Sequence, residues 1–593
     1  MEKKSYNVSD IYQGGYSSLK PNYGNFTGYR ASAGSLGTTT DPRTANILQE
    51  VSAKLSSGLK QIEISAIRPE LFDSIPKQQL KEVNRLSKLT GVDISVHGPL
   101  IEASGIGREG GYSDVAREEA ERQLTYAVER SHEISPDGNV PVTFHSSVNV
   151  QGPHYRKTEK GEEIEMMPII NKETGQMNMV KKEVKHHPGM KPKELEEGRT
   201  YDVKKQLDVM NDSDWDNALT PLIGIKERAD NMIHESQPLV KDVLPLLESN
   251  RISFNDLDYR QQEALSRYKN ASEELQDIRK HLAGLFDKAW KYNPEEREHL
   301  REISESFRKE LSKADTLQQQ SRVIQNLMEQ LRPEAGFITA PQQYQSVNEF
   351  ALDKTAETFG NVAFKSYKKF KDKAPIVSIE NPPAGGGLSR GEDLRNVVEK
   401  ARKQFIKVAT EEGMPKSEAE KQAEKLIGVT WDVGHINMIR KYGFEEKDVV
   451  KETEKIAPYL KHVHLSDNFG FEHTELPMGM GNVPLKEMME RLGEKGFEAK
   501  KVIEAAAWWE HFKGSPTQES FEAFGSPIYA MKNAPYWNQS IGLQQGYFSG
   551  YGQMLPSTNY ETFGAGFSQL PQELGGQKPG GSGGSRLSGR PLE

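Results

Sequence analysis

The chain has 593 residues, a formal net charge of −9 and no cysteine. That length accommodates a barrel-sized domain with further material, and the lack of cysteine excludes disulfides, thiolate metal sites and a cysteine nucleophile, so any metal must be held by His, Asp and Glu. Mild acidity gives no global basic footprint for nucleic acid, and no run approaches the roughly 20 apolar residues of a membrane span.

Residues 1–26 read as an N-terminal arm, and "MEKKSYNVSDIYQGGYSS" lacks the apolar centre of a signal peptide, so a soluble, cytoplasmic protein is expected. From Thr27 onward, short apolar runs alternate with segments of helical period, the pattern of βα units around a parallel sheet. The candidate strands are "GYRASAG", "LKQIEIS", "VDISVHG", "VPVTFHS", "IVSIEN", "IGVTWDVGH", "LKHVHLSD" and "KKVIEAAA". Helical segments lie between most of them. In "DPRTANILQEVSAKL", Asp41 is placed to cap the first turn and Pro42 to occupy the first helical position. The pattern predicts an α/β fold, a closed (β/α)₈ TIM barrel with its first half over 27–149 and its second over 346–512.

The alternation stops after the fourth candidate strand, which implies a large, mainly helical insertion over 150–345. Its first part, "EEIEMMPIINKETGQMNMVKKEVK", alternates around a glycine-containing turn and predicts a β-hairpin. Its second part, Asp202 to Leu331, is charged with helical period, as in "ALSRYKNASEELQDIRKHLAGLFDKAW", and predicts a helical bundle that packs or docks a protein partner. From 513 to 593 the composition shifts to Gly, Ser, Gln, Tyr and Phe, a low-complexity tail expected to be flexible.

Chelating side chains recur where the candidate strands end. His97 ends "DISVH", His145 ends "VTFH", Glu380 ends "IVSIE", Asp432 follows "VTW", His464 lies in "HVHL" and Glu504 follows "KVI". Each alone has an ordinary use: a loop hydrogen bond for a histidine, an arginine partner for a glutamate, a helix cap for Asp432. Their placement at the same end of successive strands is what independent uses need not produce. In a (β/α)₈ barrel those ends converge on the mouth that carries the active site, and imidazole with carboxylate suits zinc, or manganese. His435, three residues beyond Asp432, can face the same site from the loop, and His473 sits on a later loop. Asp467 and Asn468 are placed to orient His464 by hydrogen bonds. The glycines of "ENPPAGGGLSRGED" match neither a Walker loop nor a dinucleotide fingerprint and read as a tight loop beside Glu380, with contact to a substrate phosphate as the alternative.

The motifs "SVHGP", "FHSS", "IENPPAGGG", "WDVGHIN", "HVHLSDN", "GMGNVPL" and "VIEA" resemble, in order, the xylose-isomerase-like barrel superfamily, and within it most closely endonuclease IV, the metal-dependent AP endonuclease family. The resemblance spans Thr27 to Ser147 and Pro375 to Trp509, leaving out the insertion and the tail. It implies DNA repair by hydrolysis at abasic sites with metal-activated water, and two or three divalent ions. His97, His145 and Glu380 would hold the first ion. Glu380 would bridge to a second held by Asp432, His464 and Glu504, and His435 with His473 would hold a third. Glu380 and Glu504 are the implied catalytic carboxylates. The family's aspartate two residues before the last histidine is Phe471 here, with Glu472 or Glu475 as substitutes, and its tyrosine near the DNA is Leu100. The same barrel also serves sugar isomerases and epimerases, whose single ion is held by the set resembling Glu380, Asp432, His464 and Glu504. A barrel retained as a binding or structural module is the third reading.

Overall fold

A computed structural model describes residues 25–55, 59–159, 161–333, 338–505, 508 and 516–525. The first four barrel strands are β1 (Leu36–Thr39), β2 (Gln61–Ser65), β3 (Asp93–His97) and β4 (Pro141–His145). Six short strands follow in chain order: β5 (His154–Thr158), β6 (Gly161–Asn171), β7 (Met177–Lys181), β8 (Glu183–Lys185), β9 (Arg199–Tyr201) and β10 (Tyr344–Ser346). The barrel then resumes with β11 (Ile376–Glu380), β12 (Ile427–Asp432), β13 (Leu460–Leu465) and β14 (Lys500–Ile503). Every neighbouring pair is parallel, and β1 closes on β14, in the order β1-β14-β13-β12-β11-β4-β3-β2. The chain is a closed eight-stranded parallel barrel with helices between its strands, the (β/α)₈ class.

Local chemistry explains the helices between strands. Ser113 caps Asp114–Ile134 by accepting from Ala116 N–H. Gly91, at φ 64°, ends Lys77–Thr90 in the left-handed conformation that glycine adopts without a Cβ penalty. The strands are packed on both faces: all six residues of β12 are buried, and Trp431, Phe144, Phe359 and Phe405 are among the largest fully buried side chains. Trp431 keeps its indole N–H satisfied on Thr453 Oγ1 at 3.1 Å.

Three sequence expectations need correction. "GYRASAG" is not a strand. Its backbone bonds go elsewhere, Ala31 N–H to Phe524 O and, just before the run, Thr27 N–H to Ala523 O, and the first strand is the short β1 after it. Asp41 does not cap the following helix, which starts at Ile47; its carboxylate accepts instead from Arg43. The compositional tail does not begin at 513 as a structureless segment, because Thr517–Ala523 is helical and Phe521 and Phe524 are fully buried. The remainder of the tail and residues 1–24 of the arm lie outside the described residues.

The described chain divides into a barrel unit, within 1–164 and 347–593, and an insertion unit, Glu165–Ser346. In the insertion, β6 pairs antiparallel with β7 in the hairpin around Gly175, and Tyr344–Ser346 pairs with Ile169–Asn171. Two long helices, Val203–Glu248 and Tyr259–Tyr292, form a helical hairpin, joined by Arg297–Leu311 and Leu317–Gln330. Asp202, Asp258 and Thr316 cap three of them with side-chain acceptors. Their shared core runs through Trp215, Leu222, Leu275, Leu282 and Ile324.

Candidate metal centre

Parallel register brings the chelating residues together. Glu380 on β11 aligns with His145 on β4, and Asp432 on β12 aligns with His464 on β13. His97 ends β3, and Glu504 directly follows β14. Asn381, next to Glu380, locks the neighbouring strand: its amide donates to Asp432 O and its side-chain oxygen accepts from Asp432 N–H.

His464 Nδ1 lies 2.7 Å from Glu380 Oε1 and 2.9 Å from Glu504 Oε2. Together with Asp432 these side chains form one four-residue group able to hold a metal ion. Glu380 faces the other way as well, with Oε2 at 3.3 Å from His97 Nε2 and 3.5 Å from His145 Nε2. His97, Glu380 and His464 form a second such group. A third consists of His435, His473 and Glu475. There the two Nε2 atoms of His435 and His473 stand 2.7 Å apart, and His473 Nε2 lies 3.1 Å from Glu475 Oε1. His435 Nδ1 bonds Asn381 O at 2.8 Å, which turns Nε2 outward to that group.

The residue that opens this third group is set by a helix cap. Asp432 Oδ1 accepts from His435 N–H at 2.6 Å and is the N-cap of the single turn Val433–Asn437. Gly434 is required within it: a Cβ there would sit 2.2 Å from Ser466 Oγ. Ser466 Oγ in turn donates to both Asp432 oxygens, at 2.9 and 3.2 Å.

Burial opposes ionisation of Glu380, yet the imidazoles of His464 and His145 hold its carboxyl well below the usual carboxylate range. Burial disfavours a charged His97, but the Glu380 carboxylate beside it raises that imidazole to about 9. Burial lowers His145 to about 3 and His473 to about 4. It raises Asp432 to about 6, against the pull of His435.

Glu380 Oε2 and Glu504 Oε2 are buried with no aligned hydrogen bond. A buried carboxylate oxygen without a donor is costly, and here each faces imidazole nitrogens. The donor set, nitrogen and oxygen without sulfur, fits divalent ions such as zinc or manganese.

All eight residues that sequence placed at the mouth lie in or beside these groups, with His145 next to Glu380. Of the two substitutes for the family's missing aspartate, Glu475 joins His435 and His473 and Glu472 does not. Phe471 is instead exposed. Asp467 and Asn468 do not orient His464. Asp467 accepts from the N–H groups of Asn468, Gly479 and Val483 and so shapes the 467–483 loop, while Asn468 donates to Gly434 O. The glycine loop offers little to a phosphate. The N–H groups of Ala384, Gly386, Gly387 and Leu388 are used by His435 O, Pro383 O, Val150 O and Asn348 Oδ1.

Two functional-type residues escape a search at strand ends. Glu63 is the middle residue of β2, and His462 lies two before His464; with His464 they form a further buried group. The available signal is a carboxylate inside the apolar run "QIEIS".

Residues 390–524 match the family model described as xylose isomerase-like TIM barrel. An uncharacterized protein of Methanocaldococcus jannaschii, MJ1311, is 32% identical over 80 residues, 14% of this chain. The chain spans only 26% of the length of that curated relative. Among solved structures, a D-tagatose 3-epimerase-like protein is similar at TM-score 0.36 and 12% identity, covering 84% of this chain and 99% of that one. The D-psicose 3-epimerase of Clostridium cellulolyticum H10, solved with D-tagatose, is similar at 0.37 and 9%, covering 83% and 97%. The match to the family model falls on the second half of the barrel, from the helix after β11 to the helix after β14.

Proposed function

We propose that this xylose isomerase-like barrel is a multi-metal phosphodiesterase resembling endonuclease IV, with DNA at an abasic site as its substrate. The observation that carries the reading is the third group: His435 and His473, with Nε2 atoms 2.7 Å apart and Glu475 alongside. An isomerase working with one ion has use for Glu380, Asp432, His464 and Glu504 and none for these additional ligands.

Divalent ions bound here would acidify a water and stabilise charge on the attacking and leaving oxygens of a phosphodiester. Glu380 belongs to both neighbouring groups, with Oε1 toward His464 and Oε2 toward His97 and His145, and would be a ligand common to both. Asp432 at the end of β12 and Glu504 after β14, on either side of β13, would complete the inner site, and His97 with His145 the outer one. Leu100, where the family places a tyrosine, is exposed and offers an apolar side chain in place of a hydroxyl.

The second reading, a single-metal sugar isomerase or epimerase, draws on the four-residue group alone. Glu380 and Glu504 both flank His464, an arrangement in which two carboxylates can relay a proton beside a chelated sugar. Metal analysis of purified protein with an abasic-site duplex as substrate separates the two. Two or three ions with strand cleavage are expected. One ion with turnover of a ketose overturns the phosphodiesterase in favour of the isomerase, and no ion in either zinc or manganese medium points to a non-catalytic module.

A further inference from the structure

Deeper in the barrel, β2 and β13 turn inward side chains that the proposed reaction leaves without a task. Glu63 is fully buried, and its Oε2 accepts from Ser95 Oγ at 2.9 Å and faces His462 Nε2 at 2.9 Å. Its other oxygen, Oε1, lies 3.0 Å from His464 Nε2. Neither of those two atoms has an aligned hydrogen bond. On the opposite edge of the same ring, Nδ1 faces Glu380 and Glu504. One imidazole therefore stands between the cluster at the mouth and a second carboxylate beneath it.

We propose that Glu63 is a positioning residue for metal binding: it holds His464 as the Nε2–H tautomer, leaving the Nδ1 lone pair to the cation site formed with Glu380, Asp432 and Glu504. The inference rests on the metal-binding reading above. A neutral imidazole has one donor nitrogen and one acceptor nitrogen, so a ring that gives Nδ1 to an ion must carry its proton on Nε2. A buried N–H needs an acceptor. Glu63 Oε1 is the acceptor within reach, and it is reserved for the purpose because Ser95 and His462 occupy Oε2. A partner of this kind fixes ring orientation and strengthens the ligand, and its loss characteristically costs 10–100-fold in metal affinity.

The test uses the full-length protein freed of metal, titrated with Zn²⁺ against a chromophoric chelator, as wild type, Glu63→Gln and Glu63→Leu. Zinc should bind the inner site of Glu63→Leu about 10–100-fold more weakly. Glu63→Gln, which keeps a weaker acceptor at the same length, should fall between. Circular dichroism of the metal-free proteins reports folding alongside, and should Glu63→Leu not fold, Glu63→Gln decides alone, unchanged affinity overturning the proposal. In zinc-loaded wild type, ¹⁵N-histidine spectra should show His464 protonated at Nε2; protonation at Nδ1 overturns it too. Equal affinity in all three proteins leaves the metal reading standing and removes this inference alone, whereas a wild type that binds no zinc removes both.

Discussion

The barrel and the insertion fill their interiors with opposite chemistry. The insertion buries Trp215, Leu219, Leu275, Ile278, Leu282 and Ile324 and, among the described residues, contributes nothing to a potential metal group. The barrel encloses an apolar core of the same kind but adds Glu63, Glu380, Asp432, His97, His462 and His464, all buried. Buried ionisable groups are a stability burden unless paired, so their concentration inside the barrel, from Glu63 at mid-strand to Glu380 and Asp432 at the strand ends, calls for more than packing. The insertion illustrates the alternative, an apolar interior whose few buried polar side chains, such as Asn211 on the Tyr344 backbone and Lys226 on Asp230, are paired locally.

The strongest way to break this contrast is Glu380→Ala. Because Glu380 is common to two of the groups, the substitution should leave both proposed sites without metal and abolish the proposed hydrolysis, read by elemental metal analysis and strand cleavage; retained metal would show that the shared carboxylate is not a ligand. A narrower lesion is His97→Ala with His145→Ala. One ion should be lost while the group of Glu380, Asp432, His464 and Glu504 keeps its own, and equal stoichiometry in wild type and double mutant would count against the multi-metal site.

Proton competition sharpens the contrast further. His97 is raised to about 9, so in metal-free protein at neutral pH it is protonated, and an ion must displace that proton. Affinity at that group should rise about tenfold per pH unit up to about 9 and then flatten, with proton release seen by calorimetry in buffers of different ionisation enthalpy. Flat affinity across neutral pH would mean that His97 takes no part. The mildest effect on the site belongs to the other region: Leu282→Ala, at a fully buried position, should cost the insertion about 2–5 kcal/mol in thermal or denaturant unfolding. Metal content should not change, and a coupled loss of metal would mean the two interiors are not independent.

Strand identity was legible where apolar alternation was strong. β2, β3, β4 and β11 to β14 all fall inside the quoted runs, because each carries Val, Ile or Phe on a face that must be buried. β1 was not, since "LGTT" is short, half polar and preceded by a segment with similar composition. The cap at Asp41 failed for a local reason, as Arg43 two residues on offers a closer, charged donor. Chelating residues at strand ends were visible because the fold itself predicts where strand ends meet. Glu63 and His462 were hidden because mid-strand polar residues are read as exceptions, and only the closed barrel shows that their side chains share its interior with His464. Likewise Glu475 reaches His473 only through the path of the 467–483 loop, including the positive φ of 42° at Glu475 itself, which spacing along the chain does not encode.

Asp432 performs two tasks with one carboxylate, capping the turn that carries His435 while standing in the inner ligand group. That overlap narrows the alphabet at the position to a single letter. Asparagine would preserve the cap and forfeit the negative charge; glutamate would keep the charge but carry it a methylene too far to reach the His435 N–H; alanine would lose both. The third group draws its acid from a loop residue, Glu475, that other loop positions could replace, whereas a change at 432 has no neutral step.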